Sequence, residues 1–262
     1  MTPWDTLLQR PQPEAGHFVQ FYGADDSLLT RNITLYLSEG LKRGEGALVI
    51  ASGQRNEALV AHLRDAGAEP ERAMRQRRIL FLDAQQTLDR FMVDGQPDQR
   101  RFERTLEAAM AEVDAPEDGG LRAYGEMVGV LWQAGQFSAA ILLEQYWNEV
   151  LNRSSFNLFC GYPIDPFAKD FNPVHLDALL CAHTHLLPTP PNKLDVDDAM
   201  DRAMDEVLGS HADSVRKRMK SEHQLAWAAT PRAEGILFWL RNNLPEHADA
   251  IIARARQHYQ TA

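Results

Sequence analysis

Short apolar runs alternate with amphipathic stretches along residues 17–187 of the chain. The apolar runs have the length of buried strands, and they lie at residues 17–22, 47–51, 79–83, 121–127 and 156–161. Between them, apolar residues recur at helical spacing, which predicts helices over residues 28–41, 57–66, 87–93, 97–113, 137–152 and 174–186. Strands that alternate with helices indicate a mainly parallel sheet covered on both faces, so we expect a three-layer α/β domain.

The pattern changes from residue 186, where the sequence reads LLPTPPNKLD. Three prolines in four residues interrupt any helix, so we assign residues 188–195 to a proline-rich linker. Only helical patterns follow, over residues 196–208, 212–228 and 233–259, the last broken near Pro245. Residues 1–16 are polar and proline-containing, which predicts a poorly ordered lead-in. The expected organisation is therefore this lead-in, an α/β domain at residues 17–187, the linker, and a helical appendage at residues 196–262 that docks on the domain or on a partner.

Charge and cysteine content narrow the class of protein. The chain has 37 acidic and 27 basic residues and a net charge of −10, which opposes the approach of a phosphate backbone and makes nucleic acid an unfavoured partner. Two cysteines are too few for a disulfide framework. The sequence has neither a signal-peptide pattern nor an apolar run of about 18 residues. We therefore expect a cytoplasmic protein that does not span a membrane.

Several short motifs, in a fixed order, resemble the MEDS family of sensory domains, named after methanogens, methylotrophs and the DcmR repressor. The motifs are H-x-x-x-F-Y at residues 17–22, G-L-x-x-G-E at 40–45, I-L-F-L-D-A at 79–84, F-M-V-D-G-x-P-D at 91–98, Y-G-E-M-V-x-x-L-W-x-x-G at 124–135, L-E-x-x-W-N at 143–148 and F-C-G-Y-P at 159–163. The resemblance implies a relative of the RecA/KaiC-like nucleotide-binding fold that acts as a signalling module attached to a DNA-binding or kinase-type output. Residues 196–262 carry no recognisable output of either kind.

The turn after the first predicted strand is where a phosphate-binding loop would lie. Such a loop needs several glycines, a lysine and a hydroxyl, whereas residues 22–29 read YGADDSLL. A carboxylate about 4 Å from a phosphate repels it by roughly 1 kcal/mol even in water. We therefore expect no ATP hydrolysis, and we expect Asp25 and Asp26 to cap the following helix. The alternative is a site for a cation or a polar neutral ligand.

Polar residues follow several of the predicted strands. In open α/β sheets, ligands bind beyond the carboxyl ends of the strands, where Tyr22, Ser52 and Glu126 would lie. A buried Glu126 needs a partner, for which Arg122 and His17 are candidates. Aromatic residues and Glu144, which shares a helix face with Trp147, either line a pocket or belong to the core. The candidate ligand-binding residues are His17, Tyr22, Asp25, Asp26, Ser52, Tyr124, Glu126, Trp132, Glu144 and Trp147.

Metal-binding and catalytic motifs are weak in this sequence. His175, Cys181, His183 and His185 are close in sequence, but they do not give the four converging ligands of a closed zinc site. Nucleophile elbows and diagnostic Cys/His pairs are absent from the sequence. We therefore predict no catalytic residues, no metal and no cofactor.

The function predicted from these features is non-catalytic. We expect a cytoplasmic sensory or signalling protein whose α/β domain senses a small molecule or a signalling partner, such as a kinase or a regulator, and signals through its helical tail. One alternative is a diverged nucleotide-binding enzyme of the ATPase type. Another is a protein-interaction adaptor whose pocket is filled by side chains. Self-association into a homo-oligomer stays open.

Overall fold

The chain is organised around one parallel sheet. The computed structural model describes residues 7–8, 16–115, 120–154, 156–165, 175–187, 193–222 and 232–260. The strands in these ranges are β1 (His17–Phe21), β2 (Gly46–Ala51), β3 (Ile79–Asp83), β4 (Met92–Val93), β5 (Gln96–Pro97), β6 (Leu121–Gly125), β7 (Phe156–Tyr162) and β8 (His185–Leu187). Six of them form the sheet in the order β3-β2-β6-β7-β1-β8, and β4 pairs with β5 in a separate hairpin. Every pairing within the large sheet is parallel.

Helices connect the strands and form the C-terminal region. They are α1 (Ser27–Lys42), α2 (Gly53–Asp65), α3 (Pro70–Arg75), α4 (Ala84–Leu88), α5 (Gln99–Ala111), α6 (Met127–Gln133), α7 (Phe137–Leu151), α8 (Leu176–Cys181), α9 (Lys193–Leu208), α10 (Ala212–Glu222), α11 (Arg232–Asn243) and α12 (Pro245–Gln260). Three of the helices that follow strands or the hairpin begin at a side-chain cap, because Ser52, Asp83 and Asp98 each accept a hydrogen bond from a backbone N–H in the first turn.

The two faces of the sheet bury separate apolar clusters. On one face, Phe18 of β1 and Phe159 of β7 pack under α1 and α2. On the other face, Val19 and Phe21 of β1 pack with α5, α6, α7, α8 and the C-terminal helices. Strands that are covered on both sides are apolar throughout, which explains why they were visible as continuous runs in the sequence. The predicted three-layer α/β fold is confirmed.

The helix predicted over residues 174–186 is wrong in its second half. The structure ends α8 at Cys181 and continues into β8, an edge strand of three residues. The register Phe18↔His185 ties β8 to β1. In addition, the backbone N–H of His17 donates to Thr184 Oγ1 (3.0 Å). Pairing with a strand distant in sequence therefore overrides the helical pattern of this segment.

The helix predicted over residues 87–93 is wrong beyond Leu88, and its last two residues form β4. Helix α4 ends at Leu88, and a two-residue turn then joins β4 to β5. Both turn residues have positive φ, 50° at Asp94 and 78° at Gly95. An Asp-Gly pair favours this type I′ conformation, so the sequence did contain the signal for a hairpin.

The C-terminal helices pack against each other and against the α/β domain. Helix α11 is buried from Ala233 to Leu240, as expected for a helix that is enclosed on all sides. Its Phe238 ring lies 6.4 Å from the ring of Phe21 in β1. Residues 188–192, 223–231 and most of 1–16 fall outside the described ranges, so the predicted lead-in, most of the linker and the end of the helix predicted over residues 212–228 stay predictions. Helix α9 begins at Lys193, inside the predicted linker.

Within the described ranges, none of the helices is both long enough and apolar enough to cross a membrane.

Candidate functional site

Polar side chains meet at the carboxyl edge of the sheet, on the side of α1 and α2. We call this group the strand-edge cluster; its members are Tyr22, Asp26, Thr30, Ser52, Arg55, Tyr124 and Glu126. Glu126 directly follows β6, and its backbone N–H donates to the carbonyl of Ile50 in the neighbouring β2 (2.9 Å). The parallel register of β2 and β6 therefore places residues 52 and 126 side by side. Tyr22, Ser52 and Glu126 therefore lie together at the carboxyl edge of the sheet, as predicted from the sequence.

An ion pair between Arg55 and Glu126 forms the buried centre of the strand-edge cluster. Arg55 Nε lies 2.6 Å from Glu126 Oε1, and both side chains are more than nine-tenths buried. The other oxygen of Glu126 accepts the backbone N–H of Ser52 (3.2 Å), and Oε1 also accepts the hydroxyl of Tyr124 (2.8 Å). Every oxygen of this buried carboxylate is thus paired, which offsets its desolvation.

The guanidinium of Arg55 connects Glu126 to residues nearer the surface. Its Nη1 contacts Asp26 Oδ2 (2.8 Å) and donates to Thr30 Oγ1 (2.8 Å). The same group lies over the ring of Tyr22, 5.5 Å from the ring centre. Burial acts to lower the pKa of Arg55, but the charge and hydrogen bond of Glu126, together with the charge of Asp26 and the nearby Tyr124, outweigh burial, and the pKa is raised. Arg55 is therefore a permanent cation at the centre of this network.

The tyrosines of the strand-edge cluster are held in the neutral form. Burial, followed by the charge of Glu126, raises the pKa of Tyr22 to about 12. The same two causes raise the pKa of the fully buried Tyr124 well above its ordinary value. Tyr124 is thereby kept as a hydrogen-bond donor to the carboxylate.

The two aspartates of the first turn have different roles. Asp25 is exposed and accepts the backbone N–H of Ser27 (2.9 Å), and this hydrogen bond lowers the pKa of Asp25. Asp26 occupies the cap position of α1 without making a side-chain cap bond. The capping prediction is therefore wrong for Asp26, because its carboxylate is used by Arg55 instead.

Neither Arg122 nor His17 contacts Glu126, so the partners predicted from the sequence are wrong. Arg122 lies four positions earlier in β6, about 13 Å along a strand, and pairs with the buried Glu45. His17 begins β1 and is likewise at the amino edge of the sheet. The partner that sequence reasoning missed is Arg55, whose position in the first turn of the helix after β2 points to the same edge as Ser52.

The two tryptophans proposed as ligand contacts lie on the opposite face of the sheet. Trp147 is buried, and its ring packs at 5.1 Å from Phe102. Trp132 is half-buried and packs against Phe137 (4.8 Å) and Tyr162 (5.5 Å). Neither joins the strand-edge cluster, so their contacts favour the alternative that they belong to the core.

His17 and Glu144 belong to a second group, buried in the opposite face of the sheet. This group, which we call the histidine cluster, consists of His17, Glu144, Cys160 and His183, and one nitrogen, oxygen or sulfur atom of each lies within 4.8 Å of the others. His17 Nε2 is 3.2 Å from Glu144 Oε2 and 3.4 Å from Cys160 Sγ, and His183 Nε2 is 3.3 Å from Glu144 Oε1. All four residues are at most 2% exposed.

Glu144 is held as an anion inside the histidine cluster. Burial acts to raise the pKa of Glu144, but the neighbouring imidazoles of His183 and His17 together outweigh burial through charge and hydrogen bonding, and the pKa is lowered. Burial lowers the pKa of His183 and raises that of the Cys160 thiol well above its usual range. The hydroxyl of Tyr162 donates to Glu144 Oε1 (2.7 Å). Glu144 is therefore the carboxylate anion of the histidine cluster.

The sequence predicted only two of the four members of the histidine cluster as candidate site residues. His17 and Glu144 were candidate ligand-binding residues, whereas Cys160 was not among the candidates and His183 was considered only together with His175, Cys181 and His185. Strand pairing supplies the missing link, because the register Val19↔Cys160 puts the cysteine two positions along the sheet from His17. His183 arrives through the turn that joins α8 to β8.

Comparison with known proteins places both clusters within one family. No curated protein matches the chain. The family description MEDS, MEthanogen/methylotroph, DcmR Sensory domain, matches residues 16–184, which is more than half of the chain. The matched range includes every residue of the strand-edge cluster and of the histidine cluster. The chain therefore belongs to the MEDS family of sensory domains.

Proposed function

We propose that this protein is a non-catalytic sensor whose α/β domain binds a small ligand at the strand-edge cluster and passes the bound state to its C-terminal helices. Membership of a sensory family supports the general role. The position of the strand-edge cluster supports the site, because ligands of parallel α/β sheets bind beyond the carboxyl ends of the strands.

The charges of the strand-edge cluster indicate the chemistry of the ligand. Its buried centre is already neutralised by the Arg55–Glu126 pair. Ser52 and Asp26 lie at the accessible rim, and the side chain of Asp26 is 50% exposed. The cluster therefore has two carboxylates, Glu126 and Asp26, but a single guanidinium, that of Arg55. This excess of negative charge favours a small ligand with hydrogen-bond donors or a positive charge, and it disfavours a phosphate.

Strand β1 contacts both the proposed ligand site and the C-terminal helices, which supports a signalling path between them. Phe21 and Tyr22 are consecutive, so their side chains point to opposite faces of the sheet. Tyr22 lies against Arg55, and Phe21 lies against Phe238 of α11. This adjacency is the observation that carries the proposal. A ligand that prefers one position of Tyr22 would bias the packing of α11 by its differential affinity alone.

A thermal-shift panel with the full-length protein tests the site. The compounds are small amines, amides and alcohols in one set and ATP, GTP and cyclic nucleotides in the other, each at millimolar concentration. We expect a member of the first set to raise Tm, and this stabilisation to be lost in Asp26→Asn but kept in Asp25→Asn, since only Asp26 contacts Arg55. Hydrogen exchange in α11 should slow with the same compound.

Other outcomes of the panel favour the alternatives. Stabilisation by ATP or GTP but by no amine, amide or alcohol would contradict the proposal and favour a diverged nucleotide-binding enzyme. An adaptor with a filled pocket is the second candidate, and the mutual pairing of Arg55 and Glu126 favours it. It would give no stabilisation with either set and no change of hydrogen exchange in α11.

A further inference from the structure

The donor atoms of the histidine cluster converge at the spacing of a metal-ion site. The distance from His17 Nε2 is 3.2 Å to Glu144 Oε2 and 3.4 Å to Cys160 Sγ, and the distance from His183 Nε2 to Glu144 Oε1 is 3.3 Å. A tetrahedral ion with bonds of about 2.1 Å has its ligand atoms about 3.4 Å apart. These three separations are close to that spacing, and one ligand atom from each of the four side chains lies within 4.8 Å of the others, so the groups need to draw together only slightly to occupy the corners of a tetrahedron.

The far nitrogens of both imidazoles fix which nitrogen faces the centre. His183 Nδ1 lies 2.8 Å from the carbonyl of Leu179, which can only accept, so Nδ1 carries the proton. Asn148 uses its NH₂ group on the carbonyl of Ala182 (2.8 Å), which turns its oxygen toward His17 Nδ1 (2.9 Å). In the neutral form, both Nε2 atoms thus present a lone pair to the centre. Metal-bound histidines are held in this way by a hydrogen bond at the other nitrogen.

With both imidazoles neutral, no group of the histidine cluster brings a positive charge to its centre. Two nitrogen lone pairs and the sulfur face the Glu144 carboxylate in a fully buried space. Among the described residues, Glu144 Oε2 and His183 Nε2 have no hydrogen-bond partner of acceptable geometry. Buried polar atoms in this state are costly, and a cation at the centre would satisfy all four donors at once.

We propose that His17, Glu144, Cys160 and His183 form a closed binding site for one divalent ion of the zinc type. Two imidazole nitrogens, one carboxylate oxygen and one sulfur match the ligands of Zn²⁺, whereas Mg²⁺ and Ca²⁺ prefer oxygen alone. Four protein ligands leave no position for a water or a substrate, so the ion joins segments of the fold and does not activate a reactant. The Tyr162 hydroxyl orients the Glu144 carboxylate from outside the site.

Cobalt is a suitable probe because a thiolate bound to Co²⁺ gives a charge-transfer band in the near ultraviolet. The full-length protein is refolded from metal-free denaturant with Co²⁺, since the site is buried. The decisive variant is Cys181→Ser, which removes the exposed cysteine and leaves Cys160 as the only thiol of the chain. We expect about one Co²⁺ per chain, the charge-transfer band together with the intense visible bands of tetrahedral cobalt, and loss of both when Zn²⁺ is added.

The matched variant Cys160→Ser should lose the charge-transfer band. Because Cys181→Ser carries the test by itself, a folding defect in Cys160→Ser does not affect the conclusion. Failure of Cys181→Ser to retain Co²⁺ would overturn the proposal, because the cluster would then be satisfied by protons alone. Binding without a sulfur charge-transfer band would also overturn it. Neither result depends on the ligand proposed for the strand-edge cluster.

Discussion

The buried ion pair between Arg55 and Glu126 gives the sharpest test of the structure. We consider Arg55→Met, Glu126→Gln and the double variant, which together form a double-mutant cycle. Methionine keeps much of the volume of the arginine stem, and glutamine keeps the shape of the carboxylate. The changes therefore remove charge from the centre of the strand-edge cluster with little loss of packing.

The contacts of each residue set the expected sizes. Arg55→Met leaves the Glu126 carboxylate buried with only the Tyr124 hydroxyl and the Ser52 N–H, and breaking a buried pair in this way costs about 3–5 kcal/mol. We expect the lower end of that range, because the half-exposed Asp26 lets water approach. Glu126→Gln leaves Arg55 its contact with Asp26, and should cost about 2 kcal/mol. The double variant should cost about 2 kcal/mol less than the sum of the two.

Urea unfolding of the full-length proteins, followed by circular dichroism, measures these differences as free energies of unfolding. The matched control is the exposed pair Arg64 and Glu71, whose side chains are 58% and 44% exposed. Its corresponding variants, Arg64→Met and Glu71→Gln, should leave the midpoint unchanged. Additivity of the Arg55 and Glu126 variants to within about 0.5 kcal/mol would refute the reasoning, because it would mean that the two charges do not interact.

Two further predictions concern the tail and pH. Phe238→Ala should destabilise the protein by about 3 kcal/mol and speed hydrogen exchange in α11, because it leaves a cavity beside Phe21. Leu35→Ala, at an exposed position, is the control. Equal effects of the two variants would contradict the docking of α11 on β1. The pKa of Tyr22 is about 12 in the folded protein and about 10 when unfolded, so its contribution to stability is complete below pH 10 and is lost as the pH rises toward 12. Between pH 9 and pH 11, the free energy of unfolding measured in urea should therefore fall more for the wild type than for Tyr22→Phe. An equal fall for both proteins would argue against a buried phenol at position 22.

Much of the fold could be predicted because its strands are apolar on both faces. Runs such as residues 47–51 stand out locally, and four of the five match an observed strand to within one residue at each end. The run at 121–127 extends two residues too far, because β6 ends at Gly125 and α6 begins at Met127. Strand β8 could not be found in this way, because it has three residues and is defined by its pairing with β1. The hairpin at Asp94 and Gly95 was missed for a different reason, since its turn signal was present but lay inside a stretch with helical spacing.

The candidate site residues also differ in whether a local sequence pattern could predict them. Tyr22, Ser52 and Glu126 were found because the ends of parallel strands meet at one edge by rule. Arg55 was missed because an arginine in the first turn of a helix is normally a surface residue, and only the depth of Glu126 shows why it is buried. The histidine cluster joins residues as far apart as His17 and His183, and no local pattern predicts that they meet.

Among the described strands, β1 is synthesised first, yet both of its neighbours come late. Among the described strands, its partners in the sheet are β7 and β8. Gly16 and Asn157, which hydrogen-bond beside the first of these pairings, are 141 positions apart. At about 5–20 residues per second, a ribosome needs roughly 7–28 s to cover that interval. For this time the apolar segment HFVQF has two open edges, so the nascent chain should depend on chaperones, and a chain truncated before β7 should aggregate because β1 has no native strand to join.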